Sequence, residues 1–176
     1  MPVASPPVTS FAARSFAGAR LTDVVPMLAV AAGAVLLIVA EFLVLREIRT
    51  VTVVPSGGTT TGGSHHLYAL GLIGVAMLPM AWGVAHRGAR PAAVACLVLS
   101  LAATFIVLAV DLPTLDDTGL IGRTYDLAEA RPAAGFYVES VGAALALVGS
   151  VAALVLGRPA RPARRRPARR PADDEG

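Results

Sequence analysis

The sequence has no lysine: its fifteen basic residues are all arginine, and charged residues make up only 15% of its 176 positions. A soluble domain of this length needs polar surface enough to cover its core. At 55% hydrophobic residues and a mean hydropathy of +0.67, this chain falls short of that. Cysteine occurs once, at Cys96, which excludes an intramolecular disulfide and any multi-cysteine metal site. Inside an apolar run such a thiol acts as a small hydrophobe. Motifs are missing as well. There is no phosphate-cradling glycine loop followed by Lys-Ser/Thr, no HExxH, no GxSxG and no CxxC. Neither Gly119 nor Gly122 follows aspartates at the positions an EF-hand requires. These absences set the expectation of no catalytic residue, no metal and no cofactor. The missing lysine, beside a wealth of Ala, Gly, Pro and Val, suggests a high-GC coding bias and hence a bacterium.

What is present is long and apolar. Four segments, 24–45, 67–85, 92–110 and 134–156, each approach the ~20 residues a helix needs to cross ~30 Å of hydrocarbon. Lipid offers no partner for backbone polar groups, so such segments are helices. The fold expected is therefore all-α: a polytopic integral membrane protein, an antiparallel four-helix transmembrane bundle over 21–157 with disordered termini. Thr22 or Asp23 can cap the first helix, and Pro26 lies in its opening turn, where a missing N–H costs little. Pro79 falls inside the second span and is expected to kink it. Residues 1–20 mix Pro, Ser, Ala and Arg without helical period. The apolar run after them exceeds the ~7–15 residues of a signal-peptide core, which indicates an uncleaved span.

Arginine placement sets the expected orientation. Arg14, Arg20, Arg87, Arg90 and seven tail arginines fall on one side, against Arg46, Arg49, Arg123 and Arg131 on the other. The positive-inside rule then puts both termini in the cytoplasm, in a cell membrane. Tyr68 and Tyr137 reach the outer interface and Trp82 the inner one. Between the spans, Pro55–Ser64 reads as a flexible linker after a short β-like stretch at Val51–Val54. Asp116, Asp117, Asp126 and Glu129 make the second outer loop acidic, with turn chemistry at Asp117-Thr118-Gly119 and one short helix expected around Tyr125–Ala130. No internal repeat suggests an inverted-repeat transporter.

The pI near 9.7 comes largely from a tail rather than a folded face. Arg158, Arg161, Arg164, Arg165, Arg166, Arg169 and Arg170 alternate with prolines that prevent a helix, so 158–176 is expected to be extended and disordered. Following the fourth span, it suits anionic lipid headgroups at about 1 kcal/mol per nearby arginine, or serves as a plain topology anchor. Nucleic acid is not an expected partner.

Ionisable groups inside spans are the best pointers to function, because each costs at least ~2.5–3.5 kcal/mol to insert. Glu41 and Glu139 lie about one turn from the outer ends of the first and fourth spans, and Asp111 closes the third on the same side. Glu139, Gly142, Ala146, Gly149 and Ala153 step by 3, 4, 3 and 4, forming one helix stripe of small residues beyond the glutamate. That stripe turns Glu139 toward a neighbouring helix or a cavity. Ser100, Thr104 and Asp111 share a face more weakly, since Ser and Thr can bond their own helix. His65 and His66 are adjacent, which on a helix points them about 100° apart. They read as solvated loop residues, and His86 as a boundary residue.

Two kinds of function fit this pattern, the first being the leading expectation and the second its alternative. One is a non-enzymatic accessory or scaffold protein, packing on a membrane partner or on itself through the small-residue stripe. The other is a small proton, cation or polar-solute transporter or channel using Glu139 and Glu41, with Asp111 and the histidines beside them, acting as an oligomer. A membrane enzyme acting on lipid or quinone is a third reading, and no spacing demands it.

Overall fold

The computed structural model describes residues 21–50, 58–118, 123 and 128–156. Both termini, the seven tail arginines and Val51–Val54 lie outside these residues. The chain is mostly helical, and three helices are long and apolar enough to cross a membrane: Ala69–Arg87, Arg90–Thr114 and Ala134–Leu156. In chain order the elements are α1 (Leu21–Ala40), β1 (Val44–Thr50), β2 (Gly58–Thr61), the single turn and a half of α2 (Gly62–His66), α3 (Ala69–Arg87), α4 (Arg90–Phe105), β3 (Ala128–Pro132) and α5 (Ala134–Leu156). A π-helical turn, Ile106–Asp111, and a last turn, Leu112–Thr114, extend α4.

Small residues decide which helices touch. At the crossing of α1 and α5, a Cβ added to Gly33 would stand 2.6 Å from both Ala146 N and Gly142 O. Backbone is therefore in contact with backbone there. Around it, Met27, Val30 and Ala34 of α1 pack with Met77 and Ala81 of α3, Cys96 of α4, and Ala146 and Ala153 of α5. A second apolar layer joins Leu37, Leu70, Ala103, Val107 and Ala143. The faces turned away from these contacts stay apolar, with Leu28, Val75, Val98, Phe105 and Val148 among the exposed side chains. Water would penalise such a surface, whereas hydrocarbon would not. Trp82, Tyr68 and Tyr137 are exposed near helix ends, and Trp82 stacks on His86 with ring centroids 3.8 Å apart.

Three features correct the expectation of an all-α chain. First, α1 stops at Ala40 rather than continuing to Leu45, and residues 44–50 form the central strand of a three-stranded antiparallel sheet ordered β2-β1-β3. Second, the part of the glycine-rich linker at Gly58–Thr61 is β2. Third, Ala128–Ala130, within the expected short helix, belongs to β3; the remainder of that stretch lies outside the described residues. Register explains how such poor strand formers pair. Glu47 faces Arg131 and Arg49 faces Glu129, so opposite charges oppose one another across β1 and β3. Arg49–Glu47 and Arg131–Glu129 ion pairs at 3.1 and 2.8 Å complete the square along each strand. Cross-strand pairs of this kind are worth roughly 0.2–1 kcal/mol each, and a one-residue slip would lose them.

Candidate functional site

Where the sheet meets the helices, five ionisable side chains converge from four separate elements. Glu41 lies in the turn after α1, His65 and His66 on α2, Asp111 at the end of the π-helical turn, and Glu139 in the second turn of α5. Glu41, Asp111 and Glu139 are 2%, 0% and 1% exposed. The three carboxylates singled out by sequence are thus buried at one end of the molecule, although Glu41 lies just past its helix rather than within it.

Each reaches the site for a local reason. The stripe on α5 behaves as its spacing predicts: Glu139, Gly142, Ala146, Gly149 and Ala153 are all buried. The Glu139 side chain therefore points inward with them. Asp111 depends on the π turn, in which the Leu112 N–H bonds to the Val107 carbonyl, five residues back. Pro113 accounts for that widening, because it has no N–H for Ala109 and its ring would clash with that carbonyl in a regular helix. Ser100 and Thr104 stay out of the site; their hydroxyls bond the carbonyls of Leu97 and Ser100 at 2.9 and 2.8 Å. Glu41 is held by α3. That helix starts after Tyr68 with no side-chain cap, and Glu41 Oε1 accepts the Gly71 N–H at 2.8 Å instead. A carboxylate there is favoured by the positive end of the helix dipole.

The histidine pair departs most from its sequence reading. Neither ring is freely solvated: the His66 side chain is 5% exposed and that of His65 22%. Both approach one oxygen. His66 Nδ1 lies 3.3 Å and His65 Nε2 3.5 Å from Asp111 Oδ1, and His66 Nε2 lies 4.0 Å from Glu139 Oε2. Adjacent histidines manage this by presenting different nitrogens, the far one of His65 and the near one of His66, with their rings edge-on at 75°. Leu67 and Tyr68 follow at φ 54° and 62°, two successive non-glycine residues in the left-handed region. Backbone of this kind costs of order 1–3 kcal/mol per residue and tends to gather at functional sites. It breaks α2 from α3 and keeps the imidazoles out of the α3 register. Burial pushes the His66 imidazole below its ordinary range, with Asp111 and Glu41 partly opposing the shift. A neutral ring keeps a lone pair available.

The cluster is polar but poorly satisfied. Among the described residues, seven of the nine buried side-chain nitrogen and oxygen atoms without a hydrogen-bond partner belong to it: Glu41 Oε2, His65 Nε2, both nitrogens of His66, both oxygens of Asp111, and Glu139 Oε1. A buried polar atom left unpaired costs about 1–3 kcal/mol, so this concentration is expensive unless something occupies it. Ligand atoms of His65, His66 and Asp111 lie within 4.8 Å of one another.

One arginine closes the end of the site. Arg46 on β1 donates to Thr114 O at 2.7 Å and Asp117 O at 2.9 Å, joining the sheet to the carbonyls that finish the α4 extension. Arg46→Ala is expected to destabilise the fold by about 1 kcal/mol, since both acceptors remain reachable by water. Amide hydrogen exchange over 112–117 should rise with it. Unchanged exchange would mean that the segment is held in place by other contacts.

Set against known proteins, the chain matches no family model, no curated protein and no solved structure.

Proposed function

We propose that this chain is an integral membrane protein of four antiparallel spans, with both ends in the cytoplasm, that binds a small cation at its outer end and passes it onward. α1 serves as the fourth span in this reading: its 20 residues reach ~30 Å at 1.5 Å per residue. The arginine asymmetry then places the sheet and the five-residue cluster outside.

The observation that carries the reading is the concentration, among the described residues, of buried polar atoms without hydrogen-bond partners at Glu41, His65, His66, Asp111 and Glu139. Among the described residues, three buried carboxyls meet two imidazoles, and Arg46 is committed to backbone carbonyls. A cation supplies the missing counter-charge, and intramembrane carboxylates of this kind mark ion and proton pathways. The accessory or scaffold reading loses its main support, because the stripe meant for a partner is covered by α1: Gly142 lies against Leu36 and Leu37, and Gly149 against Pro26 and Val30.

The test is flux in liposomes containing the purified chain. A pH or cation gradient is expected to drive uptake, and Glu139→Gln to reduce it at least tenfold while the protein still elutes as wild type. Equal flux in the variant would remove Glu139 as the carrier. Absence of any gradient-driven flux in wild type would return the chain to the accessory class.

A further inference from the structure

Two imidazole nitrogens and a carboxylate oxygen that almost touch, yet make no hydrogen bond, call for a ligand-based explanation. His66 Nδ1 and His65 Nε2 stand 3.3 and 3.5 Å from Asp111 Oδ1, and among the described residues none of the three atoms meets hydrogen-bond geometry with a partner. These separations suit a shared metal ion. With bonds of ~2.0–2.1 Å, the ligand atoms of a tetrahedral zinc site lie about 3.3–3.4 Å apart, the edge of the tetrahedron. The two edges to Asp111 Oδ1, at 3.3 and 3.5 Å, are close to that length, and all three ligand atoms lie within 4.8 Å of one another.

We propose that His65, His66 and Asp111 form a binding site for a divalent first-row transition-metal ion, with His65 Nε2, His66 Nδ1 and Asp111 as ligands. The proposal rests on the cation reading above and names the ion's class. Two imidazoles and one carboxylate suit zinc and its neighbours. Calcium and magnesium are excluded as the preferred ions, since they take six or more oxygen ligands or keep several waters. Three protein ligands leave one position of a tetrahedron open, as expected where an ion must enter and leave.

Glu139 has a separate part. It lies beside His66 Nε2, the nitrogen that faces away from the proposed ion, at 4.0 Å. A carboxylate accepting the far N–H of a metal-bound imidazole fixes its tautomer and raises its basicity; losing it commonly costs 10–100-fold in affinity. Glu139 is thus a positioning residue for His66. Glu41, anchored on Gly71, contributes charge through its unpaired Oε2. Glu41, Asp111 and Glu139 are buried together beside the two imidazoles, and a divalent ion would offset the carboxylate that binds it.

The test uses the full chain in detergent or nanodiscs with Zn(II) alone as the probe, read by calorimetry and metal analysis. One zinc per chain is expected, with a thousandfold excess of Mg(II) or Ca(II) failing to displace it. His66→Ala and Asp111→Asn should each weaken binding at least about 100-fold, and Glu139→Gln about 10–100-fold. Val148→Leu on the exposed face of α5 should leave zinc affinity unchanged. Binding that survives in a His65→Ala/His66→Ala double variant would overturn the proposal. Should these variants fail to fold, X-ray absorption of zinc-loaded wild type decides. Two imidazoles at ~2.0–2.1 Å support the site, and an oxygen-only shell overturns it. The two readings also fail separately. No zinc binding with Glu139-dependent proton uptake intact sinks the metal and spares the cation reading. Stoichiometric zinc without flux supports the site and removes the transport step.

Discussion

Gly149→Leu is expected to destabilise the protein by more than about 3 kcal/mol, beyond the ~1–3 kcal/mol usual for overpacking. The reason is what the new side chain would meet. A Cβ at Gly149 would fall 2.8 Å from Pro26 O and 2.9 Å from Val30 N, both of them backbone atoms of α1 that cannot rotate away. Gly33→Leu, on the other helix, meets Ala146 N and Gly142 O at 2.6 Å and should behave alike. Only separation of α1 from α5 relieves either clash, and the core layer of Val30, Ala34 and Ala146 would open with it. Denaturant titration in detergent, with elution volume as a second readout, measures the effect. Val148→Leu is the control, because Val148 is 66% exposed on the opposite side of the same turn and should cost nothing measurable. A Gly149→Leu protein as stable as wild type would mean that α1 and α5 do not cross where described. If the small-residue stripe served a partner instead, the isolated chain would stay intact and only the complex would be lost. The two roles therefore give opposite results on purified protein.

The helices were legible in the sequence because their signals are local and redundant. Twenty apolar residues need no partner to declare a span, and the 3-4-3-4 spacing from Glu139 to Ala153 identified the buried face of α5 before any packing was known. The sheet was not legible. β1 pairs Thr50 with Ala128 and Arg46 with Pro132, contacts separated by some eighty residues, and its partners read Gly-Thr-Thr-Thr and Ala-Glu-Ala-Arg-Pro. Neither has an apolar alternation to show a strand. Both pair through backbone bonds, and β3 adds the charge square at Glu47, Arg49, Glu129 and Arg131, which only register shows. Leu43–Leu45 carried the apolar pattern past the true end of α1, so hydropathy alone overran Ala40.

The candidate site divides in the same way. Its carboxylates stood out because charge inside an apolar run is rare, whereas its histidines sat beside glycines and looked solvated. The geometric objection to an adjacent pair assumed a regular helix and equivalent nitrogens. Both histidines do lie on α2, so the second assumption is the one that fails: His65 presents Nε2 and His66 Nδ1. Pro113 is a sequence-level sign of the geometry at Asp111. A proline four residues after Ala109 signals that the helix must widen near Asp111, and the π turn is how it does so.

Glu41 should separate the architecture of this end from its chemistry. Its Oε1 accepts the Gly71 N–H in the uncapped first turn of α3, whereas its Oε2 is buried without a partner beside the cluster. Glu41→Ala leaves that N–H unpaired, and a hydrogen bond to a charged acceptor is worth about 1.5–3 kcal/mol, so a loss of about 2 kcal/mol is expected. Glu41→Gln keeps an amide oxygen within reach of Gly71 and gives up the negative charge. It should retain more than half of that stability while binding cations more weakly by a factor of about ten. Denaturant titration and zinc calorimetry on the same two preparations separate the effects. If both variants are as stable as wild type, α3 is held at its start by something other than Glu41. If Glu41→Gln matches wild type in cation affinity as well, Glu41 serves the fold alone, and the site reduces to the charges of Asp111 and Glu139 around the two imidazoles.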